Sequence, residues 1–177
     1  IVFGDWSSDV CSSDLGPNRW ALRCNPSSGN LHPVEAWALC ASLSDVPDGL
    51  HHYDPERHAL QHRVLVPPGD AAPWLAIALS SAMWREAWKY GERAFRYCQL
   101  DVGHALGTLA YAAELLGWRL RPLAVASDAL AGLLGLDRTS DFPAGGDACT
   151  EREEAAILLA IRSEERRVGT ECRSRWS

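Results

Sequence analysis

The stretch "WREAWKYGERAFRYCQLDVGHA", residues 84–105, decides the fold. Its second half opens the longest helical period in the chain. Phe95, Cys98, Val102, Ala105, Leu106, Leu109, Ala112, Ala113 and Leu116 recur at steps of three and four, which predicts a helix from Glu92 to Trp118 with one apolar face. A second stripe of the same period, Tyr97, Asp101, His104, Thr108 and Tyr111, is polar and needs a polar neighbour, a subunit contact or solvent.

Outward from this helix the pattern alternates between strands and helices. "EAWALCASL" (35–43) is apolar on both faces, as in a strand covered on each side of a sheet. "GLHHYDPERHALQHRV" (49–64) holds two short strand-like runs around "DPER", where Pro55 presets a turn dihedral and Asp54 can bond back to the backbone, so it predicts a hairpin. "WLAIALS" (74–80) reads as a further buried strand. Ser127 is placed to cap a short helix, "DALAGLLG", closed by Gly135. "AAILLAI" (155–161) suits a buried strand, the favoured reading, although Thr150 and Glu153 have the spacing of a capping box that starts a helix.

The two ends read differently. "DWSSDVCSSDL" (5–15) has no helical or strand period, and "RSEERRVGTECRSRWS" (162–177) crowds five arginines behind an apolar run. Back-translated with suitable codons, each resembles one arm of a common short-read sequencing adapter, Thr170 departing by one base. Residues 1–15 and 162–177 are therefore expected to be adapter-like, and 16–161 to be the folding segment, truncated at both ends. That segment is acidic, at net −5 against −6 for the whole chain, which argues against nucleic-acid binding through the phosphate backbone. Its 146 residues suffice for one domain with a core. Cys24, Cys40, Cys98 and Cys149 fit neither a zinc pattern nor a disulfide ladder, so a reducing cytoplasm is the expected compartment. No window is apolar enough to span a membrane, and no signal-peptide core is evident.

Chemistry enters at "RCNPSSGNLHP" (23–33). Pro26 fixes φ, two serines offer hydroxyls, Gly29 permits close approach and Asn30 both donates and accepts. Such a cluster before a strand is by itself often only a loop. Together with residues 84–105, however, it resembles the nitroreductase-like flavin oxidoreductases, most closely their SagB-type branch, which includes oxidases that turn peptide azolines into azoles. The resemblance runs over most of 16–161, including "GLHHYDPERHAL" and "LLGLD".

The resemblance implies an α/β (α+β) fold with a mixed, mainly antiparallel sheet between helices, a homodimer with FMN at its interface, and ping-pong hydride transfer through the flavin. A peptide azoline or a small acceptor is the implied substrate, and NAD(P)H an implied reductant. It places Ser27, Ser28, Gly29 and Asn30 on the ribityl and isoalloxazine side of FMN, Arg23 near the phosphate, and His32 where many relatives have glutamine. Lys89 and Tyr90 become the catalytic pair: lysine can act as a base once burial lowers its pKa, and tyrosine can relay a proton. The alternative is a flavin-binding or partner-binding module without turnover.

Other clusters have plainer readings. His51, His52, His58 and His62 point in mixed directions on two short strands, which predicts no metal site. Asp101 and His104 suit a helix-surface hydrogen bond better than a catalytic dyad. The aromatic and basic residues of 84–97 could stack on single-stranded RNA, but the acidic balance speaks against it. The loop 137–154 matches no motif.

Overall fold

The computed structural model describes residues 23–66, 72–141 and 152–163 of the 177. Residues 1–15, 164–177 and most of the 137–154 loop, on which expectations were placed above, lie outside them.

Among the described residues six strands form one sheet: β1 Val34–Ala41, β2 Gly49–Asp54, β3 Ala59–Leu65, β4 Trp74–Ala82, β5 Trp118–Leu123 and β6 Glu153–Ser163. Their order is β3-β2-β1-β4-β6-β5, and every pairing is antiparallel, so no parallel pair occurs among the described strands. The two-residue period of β4 sends Ile77 and Leu79 to one face and Ala76 and Ala78 to the other. Helix α2, Ala94–Leu115, covers the first face through Val102 and Ala105 against Val34, Ile77 and Leu79. Helix α3, Ser127–Leu134, covers the second through Leu130 and Leu134 against Trp37, Leu39, Leu50 and Leu158. The sheet thus lies between helices, as expected.

Residues 155–161 are strand. Their β6 runs on through Arg162 and Ser163, which pair with Arg119 and Trp118, two residues past the expected boundary. Trp118 opens β5 instead of closing the long helix. Gly117, at φ 69°, supplies the left-handed turn that ends α2, and the following "WRLRPL" is an edge strand where Pro122 is tolerated. Phe95 and Leu116 keep the apolar period yet are exposed, because they sit in the first turn of α2 and just past its last. Ala126, not Ser127, occupies the cap position of α3, and no side chain bonds to that end. Gly135 closes α3 at φ 74°, as expected.

A third helix, α1, Trp84–Tyr90, precedes α2 and departs from the sequence expectation. It ends because Gly91 takes φ 57° and ψ −137°, a conformation that side chains disfavour, and its amide bonds to Ala87 O. A single turn, Gly91–Arg93, then leads into α2. This break leaves Lys89 and Tyr90 on the last turn of a short helix, with the path into α2 fixed behind them.

Candidate active site

The segment before β1 is a tight loop. Gly29, Asn30 and His32 have φ values of 62°, 59° and 49°, conformations that persist for side-chain-bearing residues only where surroundings enforce them. The enforcement comes from α2. Asp101, with no exposed surface, accepts from Ser27 Oγ at 2.6 Å, from Ser28 N at 3.1 and 3.2 Å, and from Ser28 Oγ at 3.2 Å. Ser27 Oγ in turn accepts from His32 N at 2.8 Å, and the amide of Asn30 closes a turn on Ser27 O at 3.1 Å. The far end is held from α1, where Arg85 Nη1 donates to His32 O at 3.1 Å and pairs with Glu35 of β1. Glu35 also meets His52 Nε2 at 2.9 Å. Burial pushes Glu35 upward, but the His52 and Arg85 contacts outweigh it and hold the carboxyl below its usual range.

Against this loop lies the end of α1. A Cβ placed on Gly29 would fall 2.7 Å from Lys89 Nζ and closer still to the Tyr90 hydroxyl. Glycine is therefore required twice, for its φ and for the approach of these two side chains. Lys89 Nζ stands 5.4 Å from the centre of the Tyr90 ring, which packs at 4.7 Å and 59° against Tyr97. Two segments some sixty residues apart in sequence converge on one glycine.

The other expected site residues fall nearby with different engagements. Asn30 is exposed and its Oδ1 meets His32 Nε2 at 2.9 Å. His32 Nδ1 is buried without a partner among the described residues, and burial, then Arg23, lowers its pKa. Arg23 is half-buried and Nη1 donates to Val34 O at 3.4 Å; burial lowers its pKa. The Ser27 and Ser28 hydroxyls both point to Asp101, so their first role is to hold the loop. Lys89 is exposed in the single chain.

Sequence reasoning missed the clamps. Asp101 was grouped with His104, yet His104 is exposed and contributes only its carbonyl, to Thr108 Oγ1 at 3.0 Å. The sequence shows only that the polar stripe through Asp101 needs some polar neighbour, not which one. Of the hairpin histidines, His51 and His62 stack on each other at 4.6 Å, whereas His52 meets Glu35 and His58 Nδ1 meets Tyr53 OH at 2.7 Å. Among the described residues no group of three or more His, Cys, Asp or Glu could hold a metal ion, and no helix is long and apolar enough to cross a membrane.

The fold is nitroreductase-like. A crystal structure of a candidate nitroreductase from Anabaena variabilis superposes with a TM-score of 0.65 and 26% identity, over 79% of this chain and 29% of that one. The E. coli microcin synthetase McbBCD complex, solved with truncated pro-MccB17 bound, contains a chain similar in fold alone, with a TM-score of 0.63 and 18% identity over 82% of this chain and 57% of that one. A candidate nitroreductase from Methanocaldococcus jannaschii is 28% identical over 107 residues, 52% of each protein. The chain thus spans about half the length of the curated relative it matches. No protein-family model matches it.

Proposed function

We propose that this chain is the flavin-binding part of an FMN-dependent oxidoreductase of the nitroreductase type, with Lys89 and Tyr90 handling the proton that accompanies hydride transfer. The observation that carries this reading is the meeting of Lys89 Nζ and the Tyr90 hydroxyl over Gly29 of the 27–32 loop. The similarity to nitroreductase-like proteins supports it.

The residues fit such a group in part. The glycine cradle, the exposed amide of Asn30 and the unpartnered His32 Nδ1 offer polar atoms around one spot. Asn30 and the loop backbone would hold the ribityl and isoalloxazine side, and Arg23 would face the phosphate. The Ser27 and Ser28 hydroxyls would act through Asp101 by holding that backbone in place. Bound FMN would supply the hydride chemistry. Lys89 would take a proton from a small-molecule or peptide substrate, Tyr90 would donate or relay it, and the ring of Tyr97 would fix Tyr90.

A second copy of the chain belongs to this reading. Lys89 is exposed, as are Leu100, Tyr111 and Leu115 of α2, and Gly103 and Gly107 on the same helix have open space above them. A homodimer with the flavin between protomers would cover this surface and desolvate Lys89, and NAD(P)H would serve as the reductant in a ping-pong cycle.

The test is titration of the full chain with FMN, followed by single-turnover oxidation of a reduced nicotinamide and then of candidate azoline peptides. Lys89→Ala and Tyr90→Phe should bind FMN as wild type does and lose substrate oxidation about a hundredfold or more. A chain that stays colourless with excess FMN overturns the reading. One that binds FMN with equal turnover in both variants overturns the role of the pair.

A further inference from the structure

Glu86 lies within α1 with no exposed surface, and neither carboxyl oxygen has a hydrogen-bond partner among the described residues. The other two buried acids are well supplied: Asp101 has the loop donors, and Glu35 has Arg85 and His52. A buried carboxylate without donors is costly, so the position calls for a reason. Three residues further along, and so on the same side of the helix, stands Lys89. It is the single lysine of the chain, against sixteen arginines. A guanidinium supplies positive charge but does not give up a proton at accessible pH, whereas an ammonium does.

The charged groups around Glu86 come from two elements. Asp101 of α2 acts on it as a like charge, and Lys89 of its own helix opposes that. The buried thiol of Cys98, also on α2, faces the same two acids, with Glu154 of β6 beyond it. Lys89 is the one positive group acting on Glu86 among the described residues.

We propose that Glu86 is the proton partner of Lys89, a positioning residue whose carboxyl takes up a proton when Lys89 gives one up, so that the proton stays at the site. In this exchange an N–H bond at Lys89 Nζ breaks, its electron pair remains on nitrogen, and an O–H bond forms on Glu86; the charged pair becomes a neutral pair. This rests on the reading of Lys89 as the residue that moves the proton.

The test uses the full chain without FMN, labelled with ¹³C at the glutamate carboxyl carbons. Glu86 is identified as the signal lost in Glu86→Gln and, independently, as the glutamate signal least broadened by a soluble gadolinium chelate. The Glu86 midpoint should rise by about half a pH unit or more in Lys89→Met, since the positive charge that opposes Asp101 at this carboxyl is removed and solvent screens only part of its effect. It should stay in place in Lys89→Arg, which keeps the charge. An unchanged midpoint in Lys89→Met overturns the proposal, as does an equal rise in Lys89→Arg. FMN titration of the same samples reads the flavin assignment separately: a moving midpoint without flavin binding supports the pairing while the proposed function falls, and flavin binding with a fixed midpoint does the reverse.

Discussion

Asp101 and Glu86 are both acids without exposed surface, close enough for the charge of one to act on the other, yet they are treated in opposite ways. Asp101 receives the Ser27 hydroxyl and the Ser28 amide and hydroxyl, whereas Glu86 receives no donor among the described residues. A satisfied buried carboxylate is an anchor, because the donors that pay it attention would be orphaned without it. An unsatisfied one contributes nothing to cohesion and is destabilised by burial. The difference separates residues that build the site from residues whose presence the fold alone does not explain.

The largest effect should come from breaking the anchor. Asp101→Ala leaves the Ser27 hydroxyl and the Ser28 amide and hydroxyl without their acceptor, and removes the restraint on the positive-φ backbone of Gly29, Asn30 and His32. A buried donor left without its acceptor costs about 1–3 kcal/mol, so the loss of three together should be the largest of these effects. Denaturant unfolding should show that loss, and amide exchange of residues 27–32 should accelerate beyond the global change. If stability holds within about 0.5 kcal/mol, the loop has its own means of keeping its shape.

A smaller effect should follow at the point where loop and helix touch. Gly29→Ala forces an L side chain into the left-handed region, at about 1–2 kcal/mol, and its methyl would displace Lys89 Nζ and the Tyr90 hydroxyl. Because both are ends of side chains that can swing aside, the stability change should stay near that backbone cost. Changes in Tyr90 fluorescence or ring chemical shift should nevertheless be clear. A Tyr90 signal identical to wild type would mean that the contact over Gly29 does not hold the pair in place.

How much of this could be read from residues differs between the two parts. The strands 35–43 and 74–80, the hairpin around Asp54 and Pro55, and the body of α2 were legible because burial imposes a period on the sequence itself. The nearness of Gly29 to Lys89 and Tyr90 falls within the two segments that the resemblance had brought together, whereas the engagement of Ser27 and Ser28 by Asp101 does not. The short helix α1 was not legible, since seven residues give too little period and Gly91 reads only as a break. Nor was β5, an edge strand with three of its six residues Arg or Pro. The clamp of Asp101 on residues more than seventy positions away is a tertiary fact with no local pattern. The lack of a donor to Glu86 among the described residues is further still from sequence, because a glutamate between Arg85 and Lys89 reads as one more solvated charge.

The smallest effect, and the sharpest on the comparison, belongs to Glu86→Gln. Burial, then the charge of Asp101, pushes the Glu86 carboxyl above its ordinary value of 4.5. The folded chain therefore holds this proton more tightly than the unfolded chain does, and stability falls as pH rises from that ordinary value through the folded one. Glutamine has nearly the same shape and no charge at any pH, so its chain escapes that decline. At pH 4 the acid is mostly neutral in both states, and the two proteins should unfold at nearly the same denaturant concentration. At pH 8 the variant should be the more stable one, the opposite of what substitution of Asp101 does at the same pH. Paired unfolding curves at the two pH values decide it: a variant less stable than wild type at pH 8 would show that Glu86 carries a stabilised charge in the folded chain, and the contrast with Asp101 would then be one of degree.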